Sequence, residues 1–451
     1  MEQHTLNHSV MLEREKCKGC TTCLKHCPTE AIRVYAGTAH IIDERCIDCG
    51  ACIKFCPYHA KVAHTDPLAK LKDYKITVAL PAPTLYGQFK GLQDIGRLLD
   101  ALIAIGFDDV YEVARGAEYV SREIAKRVSE RKVHNGMPLI SSACPAIVRL
   151  IQVRFPELLD NVVDVISPME AAAIAARKRV CKNMSAKPED VGIFFLTPCP
   201  AKMTDVRKPQ ALHKSNVDGV ISIMDVYGLL NSEIKKARHF DSLQHAGAYG
   251  VAWAQPGGEM LSVGVENSLA VDGIENVIQV LESIEDGDLA DLDYFEGLAC
   301  VGGCLGGPLT FENTYVAKNR LRKLSEKLPR DKKPSGDDNE LTSEEMHTHL
   351  LYQPNTAMKL DDDFSVALQK MERIEQIVAD LPGLDCGSCG SPSCRALAED
   401  IALGFAVELD CIFKLKTKLQ QMSRQMVDIS ETTRIGEVEY GRSRANRETG
   451  C

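Results

Sequence analysis

The chain has 451 residues, 45% hydrophobic and 26% charged, with a formal net charge of −10. That length accommodates about three domains, and the acidic balance excludes the basic footprint of a nucleic-acid binder. No stretch approaches the roughly 20 apolar residues of a membrane span, and the polar start, Met1 to Val10, lacks the apolar core of a secretory signal, so a cytoplasmic protein without a membrane partner is expected.

Eighteen cysteines are the strongest compositional signal. In a reducing cytosol such thiols are not expected to form disulfides, and short regular spacings are what iron-sulfur clusters require. Sixteen fall into four sets of four; Cys181, expected to serve packing, and Cys451, at the end of a polar tail from Gly436, are left over.

Residues 12 to 66 hold an internal repeat of two cysteine-dense units, better suited to a small metal-held fold than to a hydrophobic core. Cys17, Cys20, Cys23 and Cys27-Pro28 follow C-x₂-C-x₂-C-x₃-C-P, and Cys46, Cys49, Cys52 and Cys56-Pro57 repeat it. In this pattern three cysteines wrap one cube and the fourth reaches the other. Cys17, Cys20, Cys23 and Cys56 are therefore assigned to one cluster, and Cys46, Cys49, Cys52 and Cys27 to the second. Paired zinc sites are the alternative, although zinc more often uses two separated pairs. The stretch resembles a bacterial two-[4Fe-4S] ferredoxin, an electron-carrying module with an α+β fold.

From Lys75 to about Leu324 short β-branched runs alternate with helical segments. Strands are expected at Lys75–Leu80, Pro138–Ser142, Gly192–Leu196 and Gly219–Ile223, and helices at Leu92–Ile105, Glu118–Arg131 and Glu170–Val180. Such alternation predicts an α/β domain with parallel sheets. Ser141-Ser142-Ala143-Cys144-Pro145 and Thr197-Pro198-Cys199-Pro200-Ala201-Lys202 each end a predicted strand. Glu296 to Gly307, carrying Cys300 and Cys304, reads as a glycine-rich turn. The carboxyl ends of parallel strands are where such folds build sites. Taken singly, each cysteine would be read as a buried structural thiol.

Together the three motifs resemble, in order and context, the signature motifs of the [FeFe]-hydrogenase catalytic domain, over roughly residues 75 to 325. The resemblance implies that Cys144, Cys199, Cys300 and Cys304 hold an H-cluster. It implies that Cys304 bridges the [4Fe-4S] cube to a diiron unit bearing CO, cyanide and a dithiolate bridge. It further implies that Lys202 donates a charge-assisted hydrogen bond to a cyanide ligand, against the alternative of an ordinary surface lysine. Cys304 and Lys202 are thus the expected catalytic residues.

The sequence also departs from the family pattern. Ala143 stands where catalytic members carry a proton-relaying cysteine, and Ile124 aligns with a relay glutamate. Thr197 and Leu298 replace methionines that flank the diiron unit, and Gly306-Gly307-Pro308-Leu309 replaces a Gly-Gln-Pro ending. Alanine and isoleucine cannot carry protons, which points to the sensory-type branch with slow turnover. Glu259, at the end of Trp253-Ala254-Gln255-Pro256-Gly257-Gly258-Glu259, is read as a solvated carboxylate after a strand-end turn rather than as a proton carrier.

Residues 326–345 are charged and read as an exposed linker, and the charged linker is taken to run to 362. A helix from about Asp363 to Leu381 then precedes Cys386, Cys389, Cys394 and Cys411, spaced C-x₂-C-x₄-C-x₁₆-C, which resembles a small helical domain with a single [4Fe-4S] cluster; zinc is again the alternative. Ile412, Leu415, Leu419, Met422, Met426 and Ile429 form an a/d stripe, read either as packing on its own domain or as a partner or dimer helix. The expected division is 1–70, 71–325, 326–362, 363–411 and 412–451. The expected function is reversible reaction with H2 and protons, with a redox or signalling protein partner and a possible homodimer. The alternatives are an iron-sulfur scaffold lacking the diiron unit and a pure electron carrier.

Overall fold

The structure, a computed structural model, describes residues 8–130, 137–236, 243–330 and 340–432. The expected polar tail from Gly436 and Cys451 lie outside them, as does the middle of the expected linker. Two compact units divide the chain, Met1–Lys359 and Leu360–Cys451. Among the described residues no helix is long and apolar enough to cross a membrane.

The first unit opens with four short strands: β1 (Val10–Leu12), β2 (Ile32–Tyr35), β3 (Thr38–Ile41) and β4 (Lys61–Ala63). β1 pairs antiparallel with β4, and β2 with β3. The β2–β3 loop is only Ala36-Gly37, both with positive φ, the geometry whose twist matches a two-residue hairpin. The apolar core is thin: Val10, Leu24, Ile32 and Ala39 beside the thiols of Cys23 and Cys52. Cluster ligation rather than hydrocarbon must therefore hold this module together.

Two parallel sheets follow. β5 (Ile76–Pro81), β6 (Asp109–Val110), β7 (Leu139–Ile140), β8 (Val191–Thr197), β9 (Gly219–Ser222), β10 (Ser268–Asp272) and β11 (Tyr294–Leu298) arrange as β6-β5-β8-β9 and β10-β11-β7. Every neighbouring pair is parallel. β5 and β8 are buried almost throughout, as strands covered on both faces must be. The expected strands and helices all form, with shifted ends: Ile95–Ala104, Val113–Glu130 and Pro168–Met184 are the helices. Glu296 to Leu298 belongs to β11, so the expected glycine-rich turn begins only after Leu298.

Residues 340–359 correct the expected exposed linker. Glu340 accepts hydrogen bonds from Tyr111 Oη at 2.7 Å and Arg115 Nη2 at 2.9 Å. Leu341 and Met346 are buried in the core. The Met346 carbonyl accepts from Ile166 N at 2.8 Å, and Asn355 N donates to the Gln152 carbonyl at 2.8 Å. Charge in the sequence suggested solvent; burial of two apolar side chains and pairing of the backbone outweigh it here.

In the second unit Asp363 caps the helix Phe364–Asp380 by accepting from Ser365 N at 2.8 Å. That helix packs Ile374 and Ile377 against Leu397, Ala398 and Ile401 of the helix Cys394–Ala402. The last helix, Ile412–Thr432, carries the a/d stripe, and Leu419, Met422 and Met426 are all exposed on it.

Candidate metal centre and its cavity

Cys144 and Cys199 follow β7 and β8, and each is the residue before a helix whose first position is proline: Pro145–Arg154 and Pro200–Arg207. Proline suits that position because its missing N–H would be unpaired anyway. The consequence is chemical, since a thiolate at a helix start faces the positive end of the helix dipole. Cys300 follows β11, and Cys304 lies on the short turn Gly303–Gly306. Close packing explains the glycines: a Cβ on Gly306 would collide with the Val301 carbonyl oxygen, and one on Gly303 would lie 2.8 Å from that of Ala254.

The four thiols converge. Burial pushes Cys300 well up, and the thiols of Cys199, Cys144 and Cys304 push it further. Burial, reinforced by Cys144, raises Cys199 to about 11, against the pull of the Lys202 backbone and side chain. Burial also raises Cys304, with Cys199 and Cys144 adding and Lys202 opposing. Four soft donors crowded together behind apolar cover fit an iron-sulfur cube, and loading must expel their protons.

Beside this tetrad lies a cavity of about 100 Å³, walled by Ala143, Phe195, Trp253 and Leu298 and reached by Cys144, Cys199, Cys304, Lys202 and Glu259. The room and the lone lysine fit a small anionic group beside the thiols. Lys202 is no surface lysine: its side chain is 12% exposed, and Nζ stands 3.5 Å from Asp205. Thr197 instead braces the ligand loop, donating to the Cys199 carbonyl at 2.8 Å and accepting from Cys199 N at 3.2 Å.

Glu259 overturns the solvated reading. It is 1% exposed, on the helix Gly258–Val263, and accepts from Tyr294 Oη at 2.6 Å and Ser141 Oγ at 2.8 Å. Burial raises it to about 7 against those two hydrogen bonds. Glu296 on β11 accepts from Gly257 N and Met260 N, and burial together with Glu259 raises it to about 8. The sequence signal for Glu296 is a carboxylate within the apolar strand Tyr294–Leu298. Ile124 packs in the apolar core and is not part of the cavity wall; Val113 and Ala117 of the same helix are. Glu118 on that helix is also raised to about 7 by burial, and it accepts from Gly247 N at 2.7 Å.

The thiols of the N-terminal module lie close enough to act on one another, Cys23 on Cys52 among them. Cys23 interacts with Cys20, Cys17 and Cys56, and Cys46 with Cys52 and Cys27. Cys49 lies near Cys27, Cys46 and Cys300, so the second set abuts the central tetrad. Asp48 locks that junction. Its carboxylate accepts from Ser9 N at 2.8 Å, Arg149 Nη1 at 2.9 Å and Thr204 Oγ1 at 2.7 Å. Arg149 and Thr204 sit on the two helices that begin at Cys144 and Cys199. Lys54 Nζ adds a bond to the Gly306 carbonyl at 3.1 Å.

In the second unit Cys389, Cys394 and Cys411 share one apolar cluster, with Cys386 beside Cys389. Asp385, at φ +45°, accepts from Cys394 N at 2.6 Å and closes the loop. Cys181 lies against the core, as its packing reading expects.

Comparison with known proteins agrees with this architecture. The family model for the iron-only hydrogenase large subunit, C-terminal domain, matches residues 75–265 and 262–308. A 4Fe-4S dicluster domain model matches 9–57, and an Fe-S cluster model matches 381–413. The periplasmic [Fe] hydrogenase large subunit of Nitratidesulfovibrio vulgaris is 31% identical over 220 residues, covering 45% of this chain and 52% of that protein. Iron hydrogenase 1 of Clostridium pasteurianum is 26% identical over 162 residues, covering 35% and 28%. The chain thus spans about half the length of the first relative and less than a third of the second. A solved structure of an apo [FeFe]-hydrogenase variant from Chlamydomonas reinhardtii shares the fold, with a TM-score of 0.52 at 15% identity over 64% of this chain and 97% of that one. With just over half of its residues matched by that hydrogenase domain, the chain belongs to the iron-only hydrogenase large-subunit family.

Proposed function

We propose that this chain reacts reversibly with H2 at an H-cluster held by Cys144, Cys199, Cys300 and Cys304, slowly enough to serve sensing rather than bulk turnover. The observation that carries the reading is the cavity at the tetrad, whose largely apolar wall is broken, besides the thiols, by Lys202, the buried, protonatable Glu259 and the Thr84 hydroxyl. When bound, the cube and its diiron unit supply the metal chemistry that interconverts H2 with two protons and two electrons.

The residues of the chain do the rest. Phe195, Trp253 and Leu298 keep water out, which strengthens every charge interaction inside. Lys202 offers a cationic donor for an anionic ligand. Glu259 holds a proton on its carboxyl group at the cavity wall, and Tyr294 and Ser141 keep that carboxyl in place. Glu296, which burial and the charge of Glu259 raise to about 8, is the proposed next proton carrier. No thiol assists at Ala143. The crossed thiol sets of the N-terminal module, adjoining the tetrad through Cys49, and the set Cys386, Cys389, Cys394 and Cys411 would hold three further [4Fe-4S] clusters for electron traffic. The exposed stripe of Ile412–Thr432 is the proposed contact for a signalling partner or a second copy. A cytoplasmic setting, where thiols stay reduced, completes the proposal.

Infrared spectroscopy of anaerobically matured protein tests it. CO and cyanide bands that shift under H2 are expected. Absence of such bands at full iron loading would leave an electron carrier or scaffold. Hydrogen evolution as fast as in dedicated catalytic relatives would overturn the sensory part.

A further inference from the structure

The two cysteine units repeat with an offset of 29 residues, and their backbones repeat with them. Glu30 and His59 both take positive φ, at 49° and 50°. Ala31 N donates to Cys27 Sγ at 3.2 Å, and Ala60 N donates to Cys56 Sγ at 3.3 Å. The next residue breaks the symmetry. Ile32 in the first unit is 2% exposed, as apolar packing requires; its counterpart is Lys61, also 2% exposed. Lys61 Nζ is buried and has no hydrogen-bond partner.

An ammonium group removed from water needs compensating negative charge. Thiols lie within electrostatic reach of Lys61. Its charge acts on Cys23 and Cys56, from one ligand set, and on Cys52, from the other. A thiolate-ligated cube is anionic and gains one more negative charge on reduction. A fixed cation beside it therefore favours the reduced state.

We propose that Lys61 is the shared electrostatic partner of both clusters of the N-terminal module and raises their reduction potentials, that of the Cys17, Cys20, Cys23 and Cys56 cluster most. The lysine thereby makes this module an electron sink relative to an otherwise identical module carrying isoleucine at both equivalent positions. The inference needs the two clusters but no diiron unit, so a failed infrared test leaves it standing.

The test is an EPR-monitored redox titration of the full chain, reconstituted with iron and sulfide and reduced with dithionite. Lys61→Ile, the residue the first unit already tolerates, is compared with Lys61→Arg at equal iron and sulfide content. In Lys61→Ile the reduced-to-oxidised ratio of the Cys17-set cluster at fixed potential is expected to fall at least tenfold, about 59 mV for a one-electron couple. In Lys61→Arg it is expected to stay within about threefold, because the charge is kept. Unchanged potentials in loaded Lys61→Ile would overturn the proposal. Should that variant fail to take up clusters, wild-type protein carrying [ε-¹⁵N]lysine decides: a ¹⁵N coupling to the reduced cluster that Lys61→Arg loses supports the contact, and its absence overturns it.

Discussion

Glu259 is where position in the sequence and position in the molecule diverge most. After two glycines it reads as a turn carboxylate, yet folding buries it between Ser141 and Tyr294. Glu259→Gln keeps the shape and removes the exchangeable acid. Hydrogen–deuterium exchange activity should drop by about 10²–10⁴-fold, with CO and cyanide bands retained in the infrared. Stability gives a second readout. The folded protein holds this proton up to about pH 7, against an ordinary 4.5. Its contribution is therefore fully present below 4.5 and is lost as pH rises through that window. The melting temperature of Glu259→Gln minus that of wild type should grow from about pH 5 to about pH 7 and then level off. Ala143, on the cavity wall, permits the converse experiment: Ala143→Cys adds a thiol beside the tetrad and should raise turnover, measured as H2 evolution.

Short helices do the positioning, and their starts are what the sequence shows best. Cys144-Pro145 and Cys199-Pro200 announce a candidate ligand and a helix at once, because proline is preorganised for that site. What joins those helices to the cluster loop of the N-terminal module was not legible. Asp48, Arg149 and Thr204 are about 50 to 160 residues apart, and no local pattern encodes their meeting. Arg149→Ala leaves a buried carboxylate without its charged partner, at a cost of about 3–5 kcal/mol. Faster amide exchange confined to residues 46–57 and to the start of the Pro145–Arg154 helix is the expected signature. The Ile412–Thr432 helix poses the reverse case. Its stripe was plain in the sequence, and its exposure argues against burial in its own unit. If the stripe pairs with a second copy, Leu419→Glu with Met426→Glu should convert a dimer to a monomer in light scattering while leaving cluster content unchanged.

Across the molecule, the parts differ in what stabilises them. The central parallel sheets bury large apolar clusters, whereas the N-terminal module buries few apolar side chains beside its thiols. Chelating iron under mild oxidation should therefore unfold residues 9–63 first, seen as lost amide protection there, while β5 and β8 stay protected. The sequence by itself determined the α/β class and the family, and it set the cysteine spacings from which the cluster ligands and their crossed pairing are proposed, because each rests on short spacing or on local periodicity along the chain. Only the tertiary structure decided that Glu259 and Lys61 are buried, that Asp48 joins the module to the central domain, and that residues 340–359 wrap the core. Burial and charge partnership depend on which distant segments pack together, and a residue's neighbours in sequence carry no record of that.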